Sequence, residues 1–220
     1  MNLRIPFFSI VLENLYLKYQ WFVFLFLFLL VLQLAGCSEP KRLKDLEQNA
    51  IILAFGDSLT AGVGTTPPND YPSVLSELTG LRVINAGVPG ETSAQGVKRL
   101  PVLLEEFQPN LLILLEGGND ILRNKDKIQL KQNLAEMIGF AQKRGIDVVL
   151  IGVPERKLFS DSAPLYGELA TEYDVVFEEQ MLANLLRKIE YKSDTVHLNQ
   201  AGYRVMAEQL FSLLIENGAL

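Results

Sequence analysis

Four short, largely apolar runs, at 50–55, 81–85, Leu111–Leu115 and Asp147–Ile151, do most to limit what this chain can fold into. Each is too short for a buried helix and lacks the every-second-residue polarity of a strand with one wet face. The first therefore reads as a strand covered on both sides, and the other three read as further strands. Between them lie stretches with helical spacing. The first, 71–78, ends at Gly80; Ser93–Phe107 carries Val97, Leu100, Leu104 and Phe107 down one side; 128–144 ends at Gly145. Beyond Ile151 the pattern weakens to a helix at 166–173, a short strand at 175–177, a helical stretch at 180–187 and a last helix at 199–216. Strands and helices in alternation specify a parallel sheet between two helical layers, an α/β fold of three-layer α/β/α type. A flavodoxin-like, five-stranded order 2-1-3-4-5 is expected.

The first 36 residues stand apart from that pattern. Every residue from Trp21 to Leu32 is apolar, and Lys18 supplies a basic charge just before them. A core of this length, closed by small residues, is the build of a secretory signal and falls short of a comfortable bilayer span. Leu34-Ala35-Gly36-Cys37 resembles the bacterial lipobox, in which the signal is cut before the Cys, its sulfur is diacylated and the new amino terminus is acylated. The resemblance accounts for the single Cys and implies a protein of the bacterial cell envelope, lipid-anchored and facing the periplasm or exterior; an uncut membrane anchor is the competing reading. Residues 1–36 are thus expected to be a lipoprotein signal peptide, 37–49 a polar tether and 50–220 the folded domain.

The formal net charge of −6 argues against nucleic-acid binding, which needs a clustered basic surface. With one Cys and one His in the chain, neither a disulfide framework nor a zinc site of the usual spacing can be assembled. No metal or other cofactor is called for.

Chemistry collects where the first three strands end. Gly56-Asp57-Ser58 follows the first, Asn85-Ala86-Gly87-Val88-Pro89-Gly90-Glu91-Thr92 the second, and Glu116-Gly117-Gly118-Asn119-Asp120 the third. In the expected strand order these three ends are neighbours at the topological switch point, so Ser58, Gly87 and Asn119 would line one pocket. A serine hydroxyl flanked by a glycine N–H and an amide side chain is what acyl transfer needs: an attacking oxygen and fixed donors for the oxyanion. Plain turn-making accounts equally well for the glycines, and N-capping for Ser58 or Asn119. The serine needs a base, and the one His is His197, with Asp194 three residues before it in reach of the imidazole. Ser58 as nucleophile, His197 as general base and Asp194 as its orienter follow.

Gly56-Asp57-Ser58-Leu59, Gly87 within Asn-Ala-Gly-Val-Pro-Gly-Glu-Thr, Gly117-Gly118-Asn119-Asp120 and Asp194-Thr195-Val196-His197 together resemble, in order, the four blocks of the GDSL or SGNH hydrolase family. The text between them, such as Thr60-Ala61-Gly62-Val63-Gly64 and Thr92-Ser93-Ala94-Gln95-Gly96, is similar to its bacterial arylesterase, acyl-thioesterase and lysophospholipase branch. The resemblance implies the SGNH hydrolase fold, no metal, and an oxyanion hole from the Ser58 N–H, the Gly87 N–H and the Asn119 side chain. Asp57 and Asp120 are assigned to holding their turns. Where many members read His-Pro-Asn this chain has His197-Leu198-Asn199, and the segment from Pro154 to Tyr166 matches the family poorly.

The expected activity is hydrolysis of small-molecule acyl esters or thioesters by a monomer held at a membrane by its lipid. A carbohydrate acetyl esterase on the same fold is the runner-up, and a catalytically silent, lipid-anchored binding module a third reading. A dinucleotide site is disfavoured, because Gly62-Val63-Gly64-Thr65-Thr66-Pro67 lacks the third glycine of that fingerprint.

Overall fold

The computed structural model describes Gln20, Trp21, Val23 and residues 43–155 and 161–220. The chain divides into two units, 1–40 and 41–220. Gln20, Trp21 and Val23 are helical; the rest of the expected signal peptide, its cleavage site and Cys37 lie outside the described residues. Among the described residues no helix is long and apolar enough to cross a membrane.

In the second unit five strands, β1 (Ile51–Gly56), β2 (Arg82–Gly87), β3 (Leu111–Leu115), β4 (Asp147–Ile151) and β5 (Val176–Glu178), form one parallel sheet in the order β2-β1-β3-β4-β5. This is the expected order. The registers Gly56↔Gly87 and Gly56↔Leu115 bring the ends of β2, β1 and β3 level with one another. β1, β3 and β4 are buried along almost their whole length, as their unbroken apolar runs require.

The helices are α1 (Ser58–Ala61), α2 (Tyr71–Thr79), α3 (Ser93–Phe107), α4 (Gly118–Leu122), α5 (Lys127–Gln142), α6 (Pro164–Tyr173), α7 (Met181–Arg187) and α8 (Gln200–Glu216), with a 3₁₀ turn at Ile189–Tyr191. α2 packs on α8, while α3 packs on α5 and α5 on α6. Right-handed crossovers account for this division, because the chain steps one way from β1 to β2 and the other way from β2 onward. Leu100, Leu104, Leu134 and Met137 close one side of the sheet, and Leu75, Tyr203 and Leu210 the other.

Sequence patterns miss α1 and α4, which have four and five residues and so too few positions for a helical period to show. The expected tether is also shorter at its end than 37–49. Leu43 is buried, its N–H donates to the Asn217 carbonyl and that of Leu46 to the Ala219 carbonyl, and the Lys44 N–H donates to Asp147. Two leucines three residues apart find an apolar seat beside the carboxyl terminus, which the polar composition around them conceals.

Candidate active site

Ser58 opens α1 immediately after β1. Asp57 caps that helix, its carboxylate accepting the Leu59 N–H at 3.1 Å, which leaves the Ser58 N–H among the donors that a helix start cannot satisfy internally. A strand that ends in a capped turn thus fixes both the hydroxyl and an unspent N–H.

His197 comes from the far end of the chain, on a loop closed by hydrogen bonds from Ser193 N–H to the His197 carbonyl and from Asn199 N–H to the Tyr191 carbonyl. Asn199 holds the loop against α8: its amide donates to the carbonyls of Glu190 and Lys192 and accepts from the Gly202 N–H. Leu198, where many family members have Pro, is fully buried and anchors the loop by packing.

The imidazole Nε2 lies 3.0 Å from Ser58 Oγ, and Nδ1 lies 2.7 Å from Asp194 Oδ2. A carboxylate can only accept, so the proton sits on Nδ1 and Nε2 is left to accept from the serine hydroxyl. The second carboxylate oxygen of Asp194 accepts the N–H groups of Val196 and His197, both at 2.8 Å. The hydrogen bond from His197, aided by those two amides, lowers the Asp194 carboxyl to about 2.

Asn119 stands in the first turn of α4. Its amide nitrogen donates to Asp57 Oδ2 at 3.3 Å, and its carbonyl oxygen accepts from Arg123 Nη2 at 3.4 Å. One amide proton remains for another acceptor. Asp120, the next residue, accepts the backbone N–H and the hydroxyl of Ser93 and so ties α4 to the start of α3.

Gly87 does not stand where the sequence placed it. Its N–H donates to Asn85 Oδ1 at 3.0 Å, and a side chain on it would come within 2.0 Å of the Ala61 nitrogen. It is a glycine because β2 and α1 touch backbone to backbone, and its donor is already engaged. Gly90, three residues on, is the glycine beside Asn119: its carbonyl accepts from the same Arg123 Nη2 at 3.2 Å, and its N–H has no protein acceptor among the described residues. It adopts φ +79, a left-handed turn after Pro89. The Pro-Gly pair is a turn signal that could have pointed to it.

Beneath these groups lies a buried acidic layer. Burial raises Asp57 to about 6 and Glu116, fully inaccessible, to about 9, so Glu116 is a neutral acid in the folded protein. Its Oε1 accepts the Gly117 N–H, while Oε2 has no hydrogen-bond partner among the described residues. Glu91 is compensated by Arg99, which also donates to the Ala86 carbonyl at 3.0 Å and lies 4.1 Å over the Phe55 ring.

Ser58 and Asn119 line one side of a cleft of about 640 Å³, continued by Leu122, Val153, Leu182, Leu186 and Val196. Glu155, Arg187 and Lys192 also line the cleft, but its walls are mainly apolar, and such a trough beside a hydroxyl and an amide donor can hold a hydrocarbon chain with its carbonyl end at Ser58.

A family model described as GDSL-like lipase/acylhydrolase matches residues 54–205. Over 127 residues the chain is 37% identical to an esterase, TesA, of Pseudomonas aeruginosa, a match that spans 56% of this chain and 63% of that protein. It is 29% identical over 165 residues to a thioesterase 1/protease 1/lysophospholipase L1 of Escherichia coli, covering 71% and 79% of the two chains. A crystal structure of TesA superposes with a TM-score of 0.69 at 29% identity, over 76% of this chain and 99% of that one.

Proposed function

The chain belongs to the GDSL-like lipase/acylhydrolase family, and from that membership we propose that it is a carboxylic ester hydrolase that cleaves acyl esters or thioesters through an acyl-enzyme on Ser58. The observation that carries this reading is the unbroken relay of 3.0 Å from Ser58 Oγ to His197 Nε2 and 2.7 Å from Nδ1 to Asp194. Ser58 Oγ attacks the acyl carbon as His197 takes its proton, and Asp194 stabilises the imidazolium that forms. The carbonyl oxygen becomes an oxyanion held by the N–H groups of Ser58 and Gly90 and by the Asn119 amide. His197 then returns the proton to the departing alcohol or thiol, and a water deacylates the serine by the same route.

The apolar cleft favours acyl chains longer than acetyl, which supports the acyl ester reading over the carbohydrate acetyl esterase. Labelling with a fluorophosphonate probe tests the nucleophile: the wild-type protein is expected to react and Ser58→Ala to remain unlabelled. Equal labelling of both would remove Ser58 from the mechanism.

The lipobox supports attachment to the bacterial cell envelope through Cys37. More than one acyl chain on that residue would hold the protein stably where a single chain binds only reversibly. Cys37→Ala is expected to leave an uncut, unacylated precursor; an unchanged mature mass would rule out the anchor.

A further inference from the structure

Arg123, which no sequence motif singled out, reaches two groups of the proposed oxyanion hole with one nitrogen. Its Nη2 donates to the Gly90 carbonyl at 3.2 Å and to Asn119 Oδ1 at 3.4 Å. Those acceptors belong to different segments, the loop after β2 and the first turn of α4. Arg123 lies four residues after Asn119 and ends the same short helix, so the guanidinium bridges from that helix to the loop.

We propose that Arg123 is a positioning residue that sets the Asn119 amide and the Gly90 peptide in mutual register for the oxyanion. The inference rests on the hydrolase reading above. An asparagine amide can rotate by half a turn and exchange its oxygen for its nitrogen. Here Asp57 accepts from the nitrogen and Arg123 donates to the oxygen, so only one orientation satisfies both neighbours. In that orientation Nδ2 keeps one proton for the substrate. Without Arg123 the oxygen loses its fixing donor, and the Gly90 peptide loses its link to α4. Donors that must be aligned before the charge forms are sensitive to such loosening, because their benefit depends on preorganisation.

Arg123 is exposed, so replacing it leaves the core intact. The test compares wild type, Arg123→Met, Arg123→Lys, Asn119→Ala and the Arg123→Met/Asn119→Ala double variant on a p-nitrophenyl acyl ester, with fluorophosphonate labelling of Ser58→Ala as control. Arg123→Met is expected to lower kcat roughly tenfold or more with little change in KM. Arg123→Lys, which still offers one nitrogen with several donors, is expected to recover most of that loss. Asn119→Ala alone should cost about 10²–10³ in kcat. In its background, Arg123→Met should add no more than about threefold, because one of the two groups it sets in register is gone and only the Gly90 link is left to lose.

A fully multiplicative double variant, or an Arg123→Met enzyme with kcat within about twofold of wild type, overturns the proposal. So does an Arg123→Met loss that tracks a fall in thermal stability and is not restored by Lys. If Ser58→Ala still labels, it is the hydrolase mechanism that fails; if Ser58→Ala is silent while Arg123→Met is unimpaired, only the positioning role fails.

Discussion

Ser58 and His197, separated by 139 positions in sequence, meet across a 3.0 Å gap between Oγ and Nε2. One sits at the end of β1 and the other on the loop before α8, so the contact exists only in the folded chain. His197→Ala is expected to lower kcat by about four orders of magnitude or more while the protein stays folded, and Asp194→Asn by about 10⁴ through the wrong tautomer. Steady-state kinetics with circular dichroism checks both. Near-normal turnover in either variant would end the proposed mechanism.

Gly87 and Gly90 make different predictions. Gly87→Ala forces a methyl against the Ala61 backbone, so it should destabilise the fold by about 2 kcal/mol or more, as overpacking does. A stable Gly87→Ala protein with kcat alone reduced would instead restore Gly87 to the oxyanion hole. Gly90 sits at φ +79, where an L side chain is strained, with Arg123 Nη2 3.6 Å from where a methyl would stand, so Gly90→Ala should cost about 1–2 kcal/mol of stability without overpacking the fold and should lower kcat as well. Urea denaturation beside kinetics separates the two.

Stability should fall as pH rises through neutrality. The ordinary carboxyl of Glu116 ionises near 4.5 and in the folded protein near 9, so between these values the folded state keeps a proton that the unfolded chain releases. The contribution is complete below the lower value and lost towards the upper one. Asp57, raised from 3.8 to about 6, adds the same sign of dependence over a lower window. Glu116→Gln should flatten the decline between about pH 5 and pH 9, measured by denaturant midpoints. An unchanged slope would mean that Glu116 is not held neutral.

Arg99→Met leaves Glu91 buried without its cation and should cost about 3 kcal/mol. Replacing Glu91 by Gln in the same chain should recover part of that loss. Thermal unfolding of the single and double variants reads the coupling, and strict additivity would show that the pair contributes nothing beyond its separate members.

Leu186, half-buried on α7, lines the cleft above the fully buried Leu182. Leu186→Trp should shorten the trough and lower kcat/KM for a p-nitrophenyl decanoate roughly tenfold or more relative to the acetate. A uniform loss across chain lengths would place the acyl chain elsewhere.

Much of the fold was legible because each buried strand announces itself as an apolar run between helical periods. Ser93–Phe107, Leu111–Leu115 and Asp147–Ile151 have the boundaries that their patterns suggest. Ser58, Asn119, Asp194 and His197 could be named because few residue types supply their chemistry, and the chain holds a single imidazole. Gly87 was misread because the need for a glycine looks the same whether the cause is a close backbone approach or a donor aimed at substrate. Arg123 and Glu116 stayed invisible for another reason: an arginine near a helix end is ordinarily a solvated charge, and burial of a lone carboxyl leaves no periodic trace.

Asp194 captures the amide of the very residue whose ring it steers. Acid and base are therefore assembled as one cassette by contacts only two or three positions apart, before any distant strand is needed. Were the segment that carries them displaced, the imidazole would travel already tuned, and what would have to reseal is the contact between ring and hydroxyl together with the core seat of Leu198.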